Sequence, residues 1–122
     1  MERIAVILPV YKNDKVPYVR LSFDSILKQT YKGSFKLIIG VDGPVGEELV
    51  SCLKDYEIKD NVSVQWFPKN RGLAIVLNDL LDICFKEGYE YIARMDADDI
   101  SMPQRLEKQM AYLLAHPEID VV

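Results

Sequence analysis

Residues 4–8 form a near-continuous apolar run, Ile4-Ala5-Val6-Ile7-Leu8, and Pro9 ends it. A strand that is buried on both faces of a parallel sheet has this composition, whereas a strand with one wet face alternates polar and apolar residues. The next segment changes period, because Val19, Phe23 and Ile26 are spaced as on one face of a helix. The start of the chain therefore predicts a buried strand followed by an amphipathic helix.

The same alternation of strand and helix continues along the chain. Residues 35–41, 62–67 and 89–95 have the composition of strands. Helical spacing is found in three further sets of apolar residues: Leu49, Cys52, Leu53 and Tyr56; Leu73, Leu77, Leu80, Leu81 and Cys84; and Leu106, Met110, Leu113 and Leu114. This alternation favours right-handed βαβ units, so we predict the α/β class with a doubly wound, mainly parallel sheet.

The last predicted helix has a start signal and is followed by a strand-like segment. Ser101 and Gln104 match the S-x-x-Q capping box, and Pro103 is tolerated in a first helical turn. Residues 120–122, Asp120-Val121-Val122, have the pattern of the opening of a fifth strand. We therefore expect the chain to be truncated after the fourth helix.

Composition limits the class of protein. The 122 residues, 49% of them hydrophobic, are enough for one domain over residues 1–122 with a single core. The formal net charge of -4 argues against a nucleic-acid partner. No apolar stretch approaches the length that spans a bilayer, and the N-terminus lacks a signal-peptide cleavage site. Cys52 and Cys84 are isolated on predicted apolar helix faces, so we expect buried free thiols in a reducing cytosol.

Asp96-Ala97-Asp98-Asp99 places three carboxylates in four residues directly after a predicted strand. Ligands of such sheets bind beyond the carboxyl ends of the strands, and the repulsion between these carboxylates calls for a positive partner. In an extended backbone Asp96 and Asp98 would point the same way, with Ala97 turned aside. Mg²⁺ and Mn²⁺ prefer such oxygen ligands and are often shared with substrate phosphates, so we predict a divalent metal and a diphosphate ligand.

Other interpretations of this segment and of the fold are weaker. The aspartates could simply favour the positive end of the following helix, as acidic residues commonly do. An EF-hand loop is disfavoured, because Ile100 occupies the fifth position of the loop, which is a ligand position, and Ser101 replaces the glycine at the sixth. A phosphoryl-receiver module needs an acidic pair after the first strand, where this chain has Pro9-Val10-Tyr11. A dinucleotide oxidoreductase is poorly supported, because no G-x-G-x-x-G follows that strand.

Several motifs occur in one order along the chain and carry a resemblance to a known family. They are Pro9-Val10-Tyr11; Ser25-Ile26-Leu27-Lys28-Gln29-Thr30; Asn70-Arg71-Gly72-Leu73-Ala74 with Asn78; and Arg94-Met95-Asp96-Ala97-Asp98-Asp99 with Pro103, Arg105-Leu106-Glu107 and Gln109. Together they resemble the family 2 glycosyltransferases, which have the Rossmann-like GT-A fold, from Ile4 to the last residue. A bare D-x-D motif is weak evidence, whereas the ordered set is specific.

The resemblance implies roles for individual residues. Pro9 and Tyr11 would line the base pocket of a nucleoside-diphosphate sugar, and Asp42 would accept a hydrogen bond from a pyrimidine N3–H. Asp96 would lie near the ribose and the metal, and Asp98 would bind the Mn²⁺ or Mg²⁺ that bridges the diphosphate. The family usually has paired aspartates followed by Gly-Ser, whereas this chain has Val41-Asp42-Gly43-Pro44. Without the resemblance, Asp42 would be interpreted as a turn residue.

Two arginines near these motifs have different interpretations. Arg71 precedes a predicted helix, where it could offset phosphate charge or could equally be a solvated charge. Arg94 lies two positions before Asp96, so we predict that it forms a structural ion pair with the acidic segment.

The resemblance also implies an activity. It implies an inverting, metal-dependent glycosyltransferase whose donor is a nucleoside-diphosphate sugar, a UDP-sugar in particular. The sugar would be transferred to a saccharide or lipid-linked acceptor in the synthesis of a surface or capsular polysaccharide. The general base lies well downstream of the D-x-D motif in this family, so we expect it beyond Val122 and expect negligible transfer by these 122 residues alone. We expect a cytoplasmic location, with any association with the inner face of the membrane made by segments outside this chain. The alternative is a non-catalytic domain that binds nucleotide sugars or a protein partner.

Overall fold

The computed structural model describes residues 2–122, and strands and helices alternate along them as predicted. The elements are β1 (Ile4–Val10), α1 (Val16–Leu27), β2 (Phe35–Asp42), α2 (Glu47–Glu57), β3 (Val62–Phe67), α3 (Leu73–Lys86), β4 (Tyr91–Arg94) and α4 (Arg105–Ala115). None of the helices in this described part of the chain is long and apolar enough to cross a membrane.

The strands of residues 2–122 form one four-stranded sheet in the order β3-β2-β1-β4, and all of its pairings are parallel. Ile4 of β1 is in register with Phe35 of β2 on one side and Tyr91 of β4 on the other. The chain moves outward from β1 to β3 and then returns to the far side of β1. This order confirms the α/β, doubly wound sheet, and it places a topological switch point between the carboxyl ends of β1 and β4.

The two faces of the sheet are covered by different helices. The larger core packs α1, α2 and α4 against one face, and the smaller core packs α3 against the other. Every residue of β1 is buried, as expected for the central position of this strand. Cys52 and Cys84 are buried free thiols, in agreement with the sequence interpretation.

Two predicted helix faces are rotated from their expected positions. In α3 the buried residues are Val76, Leu80 and Cys84, whereas Leu73 is 40% exposed. Gly40 in β2 leaves the space into which Val76 and Leu80 pack, so the row at i, i+4 and i+8 faces the sheet. In α4, Leu106 and Met110 are buried, but Leu114 is 51% exposed.

The predicted capping box at the start of α4 is wrong. The helix begins at Arg105, and Gln104 occupies the N-cap position without any side-chain hydrogen bond to the helix. Ser101 is buried instead, where its hydroxyl donates to Met95 Sδ and accepts from Arg105. The amide of Leu106 is capped from another element, because it donates to Oε1 of Gln29 at 2.9 Å.

The predicted fifth strand is not found in the described residues. Asp120-Val121-Val122 is not in a strand, and Val121 is 84% exposed. The fourth strand is also shorter than predicted, because it begins at Tyr91 and ends at Arg94. An isolated segment at a sheet edge needs a pairing partner and apolar cover before it gains from an extended conformation.

Candidate functional site

Loops after three parallel strands meet at one edge of the sheet. The loop after β1 carries Tyr11 and Asp14, β2 ends at Asp42, and the loop after β4 carries Asp96 and Asp98. Since β1 and β4 are neighbours at the switch point, their loops form the two sides of a crevice. The candidate residues from the sequence are therefore gathered at the edge where α/β sheets bind ligands.

The acidic segment forms a compact cluster. One carboxylate oxygen from each of Asp96, Asp98 and Asp99 lies within 4.8 Å of the other two, and all three residues are exposed. The convergence was predicted, but the extended backbone was not correct: Ala97 and Asp98 form a turn in which the Asp99 amide donates to the Asp96 carbonyl at 3.1 Å. The Asp96 amide donates in return to Oδ2 of Asp99, also at 3.1 Å. Ala97 is buried beneath the turn, so the aspartates face outward.

The donor set of this cluster fits a hard divalent cation. Mg²⁺ and Mn²⁺ bind oxygen at about 2.1 Å in octahedral geometry, which separates the ligand oxygens by about 3–4.2 Å. The oxygens of the cluster are within 4.8 Å of one another and accessible to solvent. Asp99 uses one oxygen within the turn, which leaves Asp96 and Asp98 as the principal ligands.

The guanidinium of Arg94 lies beside the cluster and forms an ion pair with it. Nη2 of Arg94 lies 3.6 Å from Oδ1 of Asp96, which confirms the predicted ion pair. Both side chains are about half exposed, so the pair orients Asp96 more than it stabilises the fold. The guanidinium of Arg105 lies deeper, where burial lowers its pKa, and it donates to the carbonyl of Arg94 and to Ser101 Oγ. Arg105 thus fixes the backbone that leads into the cluster, and Arg94 orients one of its carboxylates.

The loop after β1 contributes a carboxylate that the sequence interpretation missed. Oδ2 of Asp14 accepts the amide of Tyr11 at 2.8 Å and closes the turn that follows β1. Burial raises the pKa of Asp14, and the negative charges of Asp98 and Asp96 raise it further, whereas the hydrogen bond from Tyr11 lowers it. An aspartate a few residues after the end of a strand is a turn signal, and that signal could have placed Asp14 in the crevice.

Tyr11 lies in the same crevice, beside three carboxylates. Burial raises the pKa of its phenol, and the charges of Asp42, Asp14 and Asp96 raise it further. Its hydroxyl is inaccessible to solvent and has no hydrogen-bond partner in the described residues. Pro9, two residues earlier, is buried within β1. The roles of Pro9 and Tyr11 in a base pocket stay predictions.

Asp42 is buried at the end of β2, with an exposed fraction of 1%. Its two carboxylate oxygens accept the amides of Arg71 and Gly72 at 2.7 and 3.0 Å. Gly43 allows this close approach, because its φ of +84° is costly for other residues and a Cβ there would lie 2.6 Å from the amide nitrogen of Asn70. Asp42 therefore braces the loop before α3, and its contact with a base stays a prediction.

Arg71 has a structural partner in the next helix. Its guanidinium forms an ion pair with Asp79 and lies 5.0 Å from the centre of the Phe67 ring. Both charged side chains are roughly one-third exposed. The structure thus gives Arg71 a partner other than a phosphate, and its role in offsetting diphosphate charge stays a prediction.

The chain matches a family of known sequences over almost its whole length. The sequence model of the family described as "Glycosyl transferase family 2" matches residues 5–122. The O-antigen biosynthesis glycosyltransferase WbnJ of Escherichia coli is 42% identical over 114 residues, which are 93% of this chain and 42% of that protein. The amylovoran biosynthesis glycosyltransferase AmsE of Erwinia amylovora is 31% identical over 115 residues, 94% of this chain and 42% of that protein. The chain thus spans about two fifths of the length of these curated relatives.

Solved structures with low sequence identity share the fold. S. aureus TarS 1-349 in complex with UDP-GlcNAc matches with a TM-score of 0.72 and 21% identity, over 96% of this chain and 32% of that one. The mannosyltransferase PcManGT from Pyrobaculum calidifontis, in complex with GDP-Man and Mn2+, matches with a TM-score of 0.70 and 20% identity, over 90% of this chain and 32% of that one. Both likenesses extend to the all-parallel sheet, so the predicted GT-A, Rossmann-like fold is confirmed.

Proposed function

The chain belongs to glycosyl transferase family 2, and from this membership we propose that it binds a nucleoside-diphosphate sugar through a divalent cation held by Asp98 and Asp96. The single observation that carries the proposal is the convergence of three exposed carboxylates within 4.8 Å at the ligand-binding edge of the sheet. Such a cluster stores electrostatic repulsion that a cation relieves, and it leaves the outer side of that cation open for diphosphate oxygens.

The chemistry assigned to the site divides between the ion and the protein. When bound, Mn²⁺ or Mg²⁺ supplies Lewis-acid stabilisation of the charge on the leaving diphosphate. Asp98 and Asp96 would hold the ion, and Arg94 orients Asp96 through the ion pair at 3.6 Å. Asp14 and Tyr11 form the opposite side of the crevice, where the sugar nucleotide would enter.

We propose a uridine nucleotide as the donor. The acidic end of β2 provides Asp42 for a pyrimidine, and a structure with the same fold, TarS 1-349, holds UDP-GlcNAc. PcManGT of the same fold holds GDP-Man, so the fold alone does not select the base. Uridine specificity therefore depends on Asp42 and on the pocket beside Pro9 and Tyr11.

The wider reaction extends the same proposal. The relatives WbnJ and AmsE are named for O-antigen and amylovoran biosynthesis, which supports a role in building a surface polysaccharide. The sugar would pass with inversion to a saccharide or lipid-linked acceptor at the cytoplasmic side of the membrane. Inversion needs a carboxylate general base at the acceptor hydroxyl, and we assign that base to sequence beyond Val122.

Isothermal titration of the chain with UDP tests the metal bridge. We expect UDP to bind in the presence of MnCl2 and to bind at least about tenfold more weakly in its absence, because the ion joins the carboxylates to the diphosphate. Asp98→Ala should abolish this dependence on metal. Asp82→Ala removes an exposed carboxylate on α3 and should leave it intact. Equal UDP affinity with and without MnCl2 in the unmodified chain would contradict the proposal.

A further inference from the structure

The acidic loop is tied to α1 by side chains of that helix. Oγ of Ser22 donates to the carbonyl of Asp96 at 3.1 Å, and the amide of Ser101 donates to Oγ of Ser25 at 2.9 Å. These two bonds hold the beginning and the end of the loop against one helix. The separation in sequence is more than seventy residues in each case, so the contacts exist only in the folded chain.

Gln29 makes the most complete of these connections. Its Nε2 donates to the carbonyl of Met102 at 2.8 Å, and its Oε1 accepts the amide of Leu106 at 2.9 Å. Leu106 is the second residue of α4, so Gln29 satisfies a free amide of that helix from outside. The next residue, Thr30, adds a backbone bond from its amide to the carbonyl of Pro103 at 2.9 Å.

The chemistry of Gln29 suits this position. Only a side chain with both a donor and an acceptor can bind a carbonyl and an amide at the same time. Glutamate at the same length keeps the acceptor for Leu106 but turns a second oxygen toward the Met102 carbonyl. Alanine removes both bonds and leaves the first turn of α4 without its cap.

We propose that Gln29 is a positioning residue for the metal site, and this inference rests on the proposed function. Gln29 contacts none of the three carboxylates; it fixes the backbone from Met102 to Leu106, and Ser25 fixes Ser101 immediately before it. The repulsion between Asp96 and Asp98 favours a more open loop in the absence of metal. Bonds to Ser22 and Ser25 of α1, and to Gln29 just after that helix, oppose the opening, so the carboxylates are held in a converged arrangement before the cation arrives.

The test compares Gln29→Ala with a matched control in the same loop. Gln104→Ala removes an exposed glutamine that makes no side-chain bond to α4, so it should behave as the unmodified chain. Gln29→Ala should weaken Mn²⁺-dependent UDP binding by about tenfold or more, the usual effect of losing an outer support of a metal ligand. UDP binding without metal should be unchanged. Amide hydrogen exchange should accelerate at Ser101 and Leu106.

Gln29→Glu provides a second variant that keeps the cap. Because its carboxylate still accepts the Leu106 amide, exchange at Leu106 should stay slow while Mn²⁺-dependent UDP binding falls to a value between those of Gln29→Ala and the unmodified chain. This graded result separates positioning from a general loss of structure. It also keeps the proposal testable if Gln29→Ala does not fold.

The outcomes distinguish the two proposals. If the unmodified chain shows no Mn²⁺-dependent UDP binding, the proposed function fails, whatever the variants do. If the unmodified chain binds and a folded Gln29→Ala, or Gln29→Glu in its place, binds Mn²⁺ and UDP equally well, the positioning role is overturned and the function stands. An equal loss of UDP affinity with and without metal would also overturn the positioning role, because it would locate the effect outside the metal loop.

Discussion

At the scale of single residues, Asp42 shows how one carboxylate can serve the fold. Both of its oxygens accept amides of the loop before α3, and its side chain is buried. Removing the carboxylate takes away the acceptor that the amides of Arg71 and Gly72 share. A buried carboxylate with two amide donors is a stabilising group even when no ligand is bound.

Replacing Asp42 should therefore destabilise the chain in the absence of nucleotide. We expect Asp42→Ala to lower the free energy of unfolding by about 2–3 kcal/mol, since two amides lose a charged acceptor. Asp42→Asn should cost less, because the amide oxygen can still accept one of them. Urea denaturation measures both, with Asp82→Ala as the exposed control. If Asp42→Ala were as stable as this control, the bracing role would be wrong.

At the scale of elements, the packing of α3 on the sheet depends on the absence of a side chain at Gly40 of β2. A methyl group at Gly40 would lie 2.9 Å from Cγ1 of Val76 and 3.0 Å from Cδ1 of Leu80. We expect Gly40→Ala to push α3 away from β2 and to lower the free energy of unfolding by about 1–3 kcal/mol.

Thermal or urea unfolding tests the packing at Gly40. Gly46→Ala is the steric control, because a Cβ at Gly46 meets no atom within 4 Å, and any loss of stability there reports the change of the N-cap residue of α2. The double variant Gly40→Ala with Val76→Ala should recover part of the steric loss relative to the sum of the two single changes. Additive losses would mean that Val76 and Gly40 do not compete for the same space.

The contact between α1 and α2 predicts a dependence of stability on alkaline pH. The phenol of Tyr56 on α2 donates to Oδ1 of Asp24 on α1 at 2.7 Å. Burial, together with this hydrogen bond and the charge of Asp24, raises the pKa of Tyr56 to about 12. The unfolded chain loses the same proton near pH 10, so the folded state holds more protons between about pH 10 and 12, and its stability falls as the pH rises through that window.

Tyr56→Phe isolates this dependence. At neutral pH the variant should be less stable by about 1–2 kcal/mol, because Asp24 loses a hydrogen-bond donor. The difference in free energy of unfolding between the unmodified chain and Tyr56→Phe should then narrow from pH 10 to pH 12. Tyr18→Phe, at an exposed position, should show no such change. A gap that stayed constant across this window would rule out Tyr56 as its source.

Local sequence patterns predicted the elements better than their ends and faces. Val19, Phe23 and Ile26 are buried in α1 as their spacing indicated, because that spacing reports the face of a single helix. The start of α4 was predicted from Ser101 and Gln104, which bound a segment of four residues, but its cap comes from Gln29, 77 residues before Leu106. A partner so distant in sequence leaves no signal near the helix itself. The buried face of α3 was missed for the same reason, because it is selected by Gly40 on another element.

At the scale of the whole molecule, the site follows from the order of the strands. Parallel alternation alone indicated that Asp42, Asp96 and Asp98 lie at one edge, and the structure places them there. The alternation of strands and helices in the sequence could not indicate that β4 lies beside β1. That pairing brings Asp14 near Asp96 and Asp98. The acidic crevice is thus a property of the assembled sheet, and so is the repulsion between its carboxylates, which lowers the stability of the folded chain.

This repulsion predicts that the order of stability of the unmodified chain and Asp98→Asn reverses when metal and UDP are added. In metal-free buffer Asp98→Asn should be at least as stable as the unmodified chain, because it removes one of the mutually repelling charges in the cluster. With the complex of Mn²⁺ and UDP as the single ligand, at about 100 times its dissociation constant, the unmodified chain should gain about 2.7 kcal/mol by mass action, whereas Asp98→Asn should gain little. The order of the two melting temperatures should therefore invert on addition of ligand.

Asp82→Asn makes the same change of charge on α3 and should gain as much from MnCl2 and UDP as the unmodified chain does. An equal gain by Asp98→Asn would place the cation away from the cluster, and a large loss of metal-free stability would mean that Asp98 supports the turn itself.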